Sequence, residues 1–147
     1  MTKVFITGIA GGRGWPTATA LLNQGYNVAG SVRSRSGKNA ATVASLETAG
    51  AKIVEMDVTD TISTEAGVAE AISALGGLDV LFNNAGIGSY GIQELMAPED
   101  MARVMDVNVM GVQRVMRAAL PHFRAQGRGT VLYTSSLIGR IATPFYG

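Results

Sequence analysis

A glycine-rich segment near the amino terminus holds the first residues that suit a chemical task. It runs Thr7-Gly8-Ile9-Ala10-Gly11-Gly12-Arg13-Gly14, between a short apolar run and a segment of helical length. Glycines in such a turn permit a tight bend and the close approach of a diphosphate, whose oxygens accept hydrogen bonds from the N–H groups at the helix start. The segment predicts a dinucleotide site with Thr7, Gly8, Gly12, Arg13 and Gly14 as candidate contacts. The alternative is a glycine-rich turn that binds nothing.

The second predicted strand ends in a basic segment. An acidic residue at this place would bind the ribose hydroxyls of NAD, but residues 29–38 contain none. Arg33 instead offers a planar fork of donors that suits the additional 2′-phosphate of NADP, with Ser31, Arg35 and Lys38 as possible helpers. The pattern favours NADP(H), with NAD(H) still possible. The alternative is a basic loop that faces water.

More polar residues follow the later predicted strands. Asp57-Val58 comes after the third strand, Asn83-Asn84-Ala85-Gly86 after the fourth, and Ser135-Ser136 after the fifth. Ordinary alternatives exist, because Asp often caps helices and an Asn pair often forms a turn. Asn108 lies inside a predicted helix, where Asn is mildly unfavourable, so we expect a tertiary role for it unless it faces solvent.

The order of elements predicts the fold that positions these residues. Strands that alternate with helices imply parallel βαβ units and a sheet with helices on both faces. We predict an α/β, Rossmann-like doubly wound parallel sheet, with five strands in order 3-2-1-4-5, in one domain spanning residues 1–147. The predicted strands are Val4–Thr7, Asn27–Val32, Lys52–Met56, Val80–Asn83 and Thr130–Tyr133, and the predicted helices are Trp15–Gln24, Asn39–Ala49, Ser63–Leu75 and Pro98 to about Gln126.

Composition narrows the classes of function. The net charge of +1 gives no electrostatic reason to expect nucleic acid or an anionic membrane as a partner. The chain has no cysteine, which excludes disulfides and cysteine metal sites. His122 has no carboxylate spacing typical of a metal site or a triad, and we expect it on a helix surface. No apolar run approaches the roughly 20 residues of a membrane span, and a cytoplasmic location is the expectation.

Together these motifs resemble the short-chain dehydrogenase/reductase family along the whole chain. The three glycines match its T-G-x-x-x-G-x-G, and residues 83–86 match its N-N-A-G. The resemblance implies that the Asn pair bridges neighbouring strands and that the cofactor lies beside Val58, Ala85 and Gly86. Gly86-Ile87-Gly88-Ser89-Tyr90-Gly91 also fits G-x-G-x-x-G, but no helix clearly begins at its third glycine, so we interpret it as the flexible start of the loop over the nicotinamide.

The resemblance also implies individual roles in catalysis. Asp57 would bond the adenine amino group, Asn108 would hold a water of the proton relay, and Ser136 would orient and polarise the reacting oxygen. In the family a Tyr follows the Ser, and a Lys follows the Tyr by four positions. Counted from Ser136, that Tyr falls two positions beyond Gly147, and Tyr146 lies three positions too early with no Lys after it.

The expected function is therefore that of an NAD(P)-dependent oxidoreductase acting on a carbonyl or secondary alcohol of a small molecule. We expect that the C-terminal part of the family fold is absent and that the chain alone is inactive. The alternatives are a module that holds NADP(H) without turnover and a pseudoenzyme that has lost the cofactor, although the intact glycines, Asp57 and the Asn pair argue against the latter. Because the fifth strand would be an exposed sheet edge, we also expect that the chain alone aggregates, forms a homo-oligomer through that edge, or is marginally stable.

Overall fold

The five predicted strands form one parallel sheet in the computed structural model, which describes residues 1–145. Their order across the sheet is β3-β2-β1-β4-β5, and each neighbouring pair is parallel. The predicted fold class and strand order are confirmed. The bounds are β1 (Lys3–Ile6), β2 (Asn27–Val32), β3 (Lys52–Glu55), β4 (Val80–Asn83) and β5 (Thr130–Tyr133).

Helices cover both faces of this sheet. They are α1 (Gly14–Asn23), α2 (Ala40–Thr48), α3 (Thr61–Leu75), α4 (Pro98–Met105) and α5 (Gly111–Gln126). Helix α3 begins earlier than predicted because Asp60 caps it, its carboxylate accepting from Ser63 N at 2.5 Å. A short 3₁₀ turn, Gly37–Asn39, precedes α2.

Two apolar layers result from the alternation of side chains along the strands. Phe5 of β1 is fully buried in the layer toward α3 and α5, together with Leu81 of β4 and Val115 of α5. Its neighbours Val4 and Ile6 belong to the opposite layer, toward α1 and α2. Because successive strand residues point to opposite faces, a strand covered on both sides is apolar throughout.

The predicted helix from Pro98 to Gln126 is divided by a π-helical turn. Residues Asp106–Met110 form this turn, in which Gly111 N–H donates to the Asp106 carbonyl five residues back. A π turn inserts one extra residue into a helix, and such turns are frequent at functional sites. Helical periodicity in the sequence did not reveal this inserted residue. Asn108 lies in the middle of the π turn.

Strand β5 forms one edge of the sheet. Leu132 is 49% exposed and Tyr133 is 55% exposed, and within residues 1–145 no strand pairs with the outer side of β5. The expected self-association through this edge stays a prediction. No helix in the described part of the chain is long and apolar enough to cross a membrane.

Candidate functional site

A cleft of about 1130 Å³ lies at the carboxyl end of the sheet and contacts all five strand ends or the loops after them. It is centred where β1 and β4 lie side by side and the chain connections diverge, which is the place where open α/β sheets bind ligands. Twelve of the predicted site residues line it: Gly8, Gly12, Arg13, Ser31, Arg33, Asp57, Val58, Asn84, Ala85, Gly86, Asn108 and Ser136. The predicted contacts Thr7 and Gly14 do not.

Free backbone donors mark the glycine-rich turn. Gly11 N–H and Gly14 N–H close the turn on the carbonyls of Gly8 and Gly11, at 3.2 and 2.8 Å. The N–H groups of Gly12 and Arg13 have no acceptor within residues 1–145, and both residues line the cleft. Two such donors at the start of α1 are the kind of groups that can hold an anion.

Thr7 and Gly14 stabilise the glycine-rich turn without lining the cleft. The Thr7 side chain is 1% exposed, and its hydroxyl accepts from Asn84 N at 3.0 Å and from Ala85 N at 2.9 Å. A Cβ at Gly14 would lie 2.5 Å from the Gly8 carbonyl oxygen. Neither residue lines the cleft, because Thr7 bonds to the backbone after β4 and Gly14 lies against the Gly8 carbonyl; that they contact the ligand stays a prediction.

Asp57 lines the cleft just after the end of β3. Its Oδ1 accepts from Thr59 N at 2.9 Å and from Thr59 Oγ1 at 2.8 Å. Partial burial acts to raise the pKa of this carboxyl, but the two Thr59 bonds and the positive charges of Arg33 and Arg114 outweigh it, so the pKa lies below its ordinary value. Asp57 is held ionised, with Oδ2 available to a donor in the cleft.

The basic segment after β2 divides into two parts. Arg33 and Lys38 line the cleft, and neither side chain has a hydrogen-bond partner within the described chain. The guanidinium of Arg35 instead pairs with Glu47 at 2.7 Å and donates to the Ile53 carbonyl. Arg35 ties the loop to α2 and β3 and does not line the cleft; that it adds to the site stays a prediction.

Only one of the paired asparagines bridges strands. Asn84 Nδ2 donates to the carbonyls of Thr7 and Gly8 at 3.0 and 3.2 Å, and its Oδ1 accepts from Thr134 Oγ1 at 3.2 Å. Asn84 thus ties the ends of β1 and β5 to the end of β4. Asn83 is buried against Met116, with its Oδ1 unpaired among the described residues.

Asn108 lines the same cleft and holds the backbone of the loop after β4. Its Oδ1 accepts from Ile87 N at 2.9 Å, and its Nδ2 donates to the Ile87 carbonyl at 2.8 Å. This is the tertiary role expected of an Asn within a helical segment. Ser136 lies at the start of the 3₁₀ turn Leu137–Gly139 and lines the same cleft, as does Ser135.

Two other residues considered in the sequence are placed as follows. His122 is half-buried, and its Nε2 accepts from Leu78 N at 3.1 Å, so it fastens α5 to the segment before β4 and is not simply a surface residue. Tyr146, weighed as a substitute catalytic Tyr, lies outside the described residues. Across residues 1–145, no three His, Asp or Glu side chains gather in a metal-binding group.

Several residues of the site were missed in the sequence. Thr59, Ile87 and Thr134 hold the predicted residues in place, and Arg114 links the two ends of the cleft. The role of Thr59 could have been predicted from the sequence, because Asp-x-Thr favours a local turn in which the Asp side chain accepts from the backbone N–H two residues later. The others depend on contacts between residues distant in sequence.

Comparison with known proteins agrees with the fold and the motifs. The model of the family described as short chain dehydrogenase matches residues 2–147. A 3-ketodihydrosphingosine reductase of Bacteroides thetaiotaomicron is 36% identical over 144 residues, which are 98% of this chain and 50% of that protein. This chain therefore spans about half the length of that curated relative.

Solved structures resemble the chain over nearly its whole length. An alcohol dehydrogenase from the archaeon Thermococcus sibiricus, complexed with 5-hydroxy-NADP, has a TM-score of 0.86 and 28% identity over 100% of this chain and 63% of its own. The NADH-dependent reductase A1-R′ complexed with NAD has a TM-score of 0.81 and 27% identity, covering 99% of this chain and 64% of its own. With the family model matched from residue 2 to residue 147, the chain belongs to the short-chain dehydrogenase family.

Proposed function

We propose that the cleft binds a nicotinamide dinucleotide and that the chain forms the cofactor half of an NAD(P)-dependent oxidoreductase. The observation that carries the proposal is the pair of N–H groups at Gly12 and Arg13, which have no acceptor among residues 1–145 and belong to residues that line the cleft. They lie in the same cleft as the ionised Asp57. The N–H groups can hold the diphosphate of a dinucleotide, and the carboxylate can accept a hydrogen bond from its adenosine.

The fit of the cleft to such a ligand also depends on the absence of side chains. A Cβ at Gly8 would lie 3.0 Å from Ala85 Cα, so this position accepts only glycine without displacement. At Gly12 no protein atom lies within 4 Å of the place of a Cβ, and φ is +28°. The turn therefore exposes bare backbone toward the cleft, which permits the close approach of a phosphate.

NADP(H) is the preferred cofactor in this proposal. Arg33 and Lys38 place two positive charges along the cleft, with no hydrogen-bond partner for either side chain among residues 1–145, and no acidic residue lies between residues 29 and 38. Two cations suit a dianionic 2′-phosphate better than a ribose hydroxyl. NAD(H) would find fewer charge-assisted contacts here, and the NAD and NADP derivatives bound to the similar structures are compatible with either preference.

The reactive end of the cleft contains Asn108 and Ser136. When bound, the nicotinamide supplies or accepts a hydride. The Ser136 hydroxyl is proposed to donate a hydrogen bond to the carbonyl or alcohol oxygen of a small substrate, and Asn108 is proposed to fix the loop at Ile87 beside it. Residues 137–147 contain no lysine, so we propose that the 147-residue chain binds cofactor but does not turn it over.

A fluorescence titration tests the proposed function. Trp15 is the sole tryptophan, half exposed at the start of α1 next to the glycine-rich turn, so bound NADPH should quench it by energy transfer. We expect saturable quenching by NADPH, and weaker saturable quenching by NADH. The absence of saturation with both reduced cofactors, in a sample with a cooperative unfolding transition, would contradict the proposal.

A further inference from the structure

Arg114, on the first turn of α5, contacts two separate parts of the cleft wall. Its Nη1 donates to the Val58 carbonyl at 3.1 Å, and its Nη2 pairs with Asp106 Oδ1 at 2.8 Å. Nη1 also lies 3.5 Å from the Asp106 carbonyl oxygen. The Arg114 side chain is 22% exposed and the Asp106 side chain is 40% exposed, so solvent screens the ion pair in part.

The two partners of Arg114 control different ends of the cleft. Val58 directly follows Asp57, the carboxylate proposed to meet adenine. Asp106 begins the π-helical turn that carries Asn108, which clasps Ile87 through both atoms of its amide. The guanidinium of Arg114 therefore links the part of the cleft proposed for adenine to the part proposed for the reaction.

Close packing makes this link stiff. A Cβ at Gly111 would lie 2.9 Å from Val58 Cγ2, so the end of the π turn lies directly against the residue after Asp57. Because densely packed interiors transmit small displacements, movement of either segment must displace the other. The positive charge of Arg114 also helps to keep Asp57 ionised.

We infer that Arg114 is a positioning residue that couples the adenine end of the cleft to the Asn108–Ile87 pair. As far as it concerns the cofactor, the inference rests on the proposed function. Coupling requires a planar group that reaches a carbonyl and a carboxylate at once, which a lysine ammonium on a flexible stem does not reproduce. An ion pair with a purely structural role would change the stability of the whole domain without affecting these two ends selectively.

Hydrogen exchange in the cofactor-free protein tests the inference directly. Two amides report on the two ends: Thr59 N–H, bonded to Asp57, and Ile87 N–H, bonded to Asn108. In Arg114→Met both should exchange about 10-fold faster, which corresponds to a loss of about 1.4 kcal/mol in local opening free energy. In Arg114→Lys, neither amide should return fully to its wild-type exchange rate. Arg117→Met, an equal change at an exposed position of the same helix, should leave both amides as in the wild type.

Unchanged exchange of both amides in Arg114→Met, or a change at one end only, would overturn the coupling. Asp106→Asn is the second variant, since it keeps the size of the side chain and removes only the charge. It should accelerate exchange at Ile87 and, through Arg114, at Thr59. If Arg114→Met does not fold, unchanged exchange at Thr59 in Asp106→Asn overturns the inference.

A thermodynamic cycle extends the test to the ligand. We expect Arg114→Met to weaken NADPH binding about 10-fold, and Asn108→Ala to weaken it less in the Arg114→Met background than in the wild type, because coupled residues are not additive. Additive effects would contradict coupling. If the wild-type chain does not bind NADPH, the proposed function fails, whereas the exchange experiment still decides the role of Arg114.

Discussion

Asn84 donates two hydrogen bonds to Thr7, one from its backbone N–H and one from its side-chain amide. The Thr7 hydroxyl accepts from Asn84 N at 3.0 Å, and Asn84 Nδ2 donates to the Thr7 carbonyl at 3.0 Å. These bonds join the carboxyl ends of β1 and β4, where the proposed ligand site is centred. The floor of the cleft is thus fixed by a threonine that does not line it.

Removal of the Thr7 hydroxyl should destabilise the fold. Thr7→Val keeps the shape of the side chain but leaves the buried N–H groups of Asn84 and Ala85 without this acceptor, which should lower the free energy of unfolding by about 1–3 kcal/mol. Urea denaturation measures the change. Thr48→Val is the matched control, because the Thr48 hydroxyl is exposed and bonds only within its own helix; it should change stability by less than about 0.5 kcal/mol. Equal effects of the two variants would contradict the assigned role of Thr7.

Gly14→Ala should damage the turn although Gly14 does not line the cleft. The new methyl group would lie 2.5 Å from the Gly8 carbonyl oxygen, so the backbone must shift, at a cost of about 1–3 kcal/mol in the free energy of unfolding. NADPH affinity should fall as well, because the free N–H groups of Gly12 and Arg13 move. Gly139→Ala adds the same methyl group outside the cleft lining, where no atom lies within 4 Å, and it should leave affinity unchanged. Wild-type affinity in Gly14→Ala would show that the turn does not hold the ligand.

The stability contributed by Asp57 should depend on pH. Its pKa in the folded chain lies below the ordinary value of 3.8, so ionised Asp57 stabilises the fold at pH values above that value, and this contribution is lost as the pH falls through the lower, folded-state pKa. The stability difference between the wild type and Asp57→Asn should be full at neutral pH and shrink in acid. An NMR titration of Thr59→Val should show the Asp57 pKa moving upward. A stability difference that does not vary with pH would contradict this account.

Arg33 and Arg35 should differ in their effect on cofactor preference. Arg33→Ala removes a charge-assisted contact to the proposed 2′-phosphate, so the ratio of NADPH to NADH affinity should fall about 10- to 100-fold, as expected for a loss of about 1.5–3 kcal/mol. Arg35→Ala removes the same charge from the same loop but breaks the pair with Glu47, so it should leave the ratio unchanged. Because both affinities are measured on the same variant, their ratio does not depend on any effect of the substitution on folding. Equal ratios in the wild type and Arg33→Ala would contradict the preference for NADP(H).

The fold and most of the cleft were predictable because they depend on local sequence patterns. Buried parallel strands are short apolar runs, and a ligand site in such a fold lies at the strand ends, so Asp57, Asn84 and Ser136 could be assigned to one edge from their places in the chain. Residue type and position along a strand were sufficient for these predictions.

The remaining features depend on contacts that sequence spacing does not encode. The π turn at Asp106–Met110 inserts one residue into an otherwise helical pattern. Arg114 pairs with Asp106 across this turn and with the carbonyl of Val58, which is distant in sequence. Arg33 and Arg35 look alike in the sequence, and the contacts of Arg35 with Glu47 and with the Ile53 carbonyl separate their roles.

NMR mapping of the binding site is the most direct test of the central claim that the backbone after β1 holds a dinucleotide diphosphate. On titration of the ¹⁵N-labelled chain with NADPH, we predict the largest amide shifts at Gly12 and Arg13, with further shifts near Asp57 and Ala85. Saturating shifts that leave Gly12 and Arg13 unmoved, or a spectrum that NADPH does not change, would contradict the account.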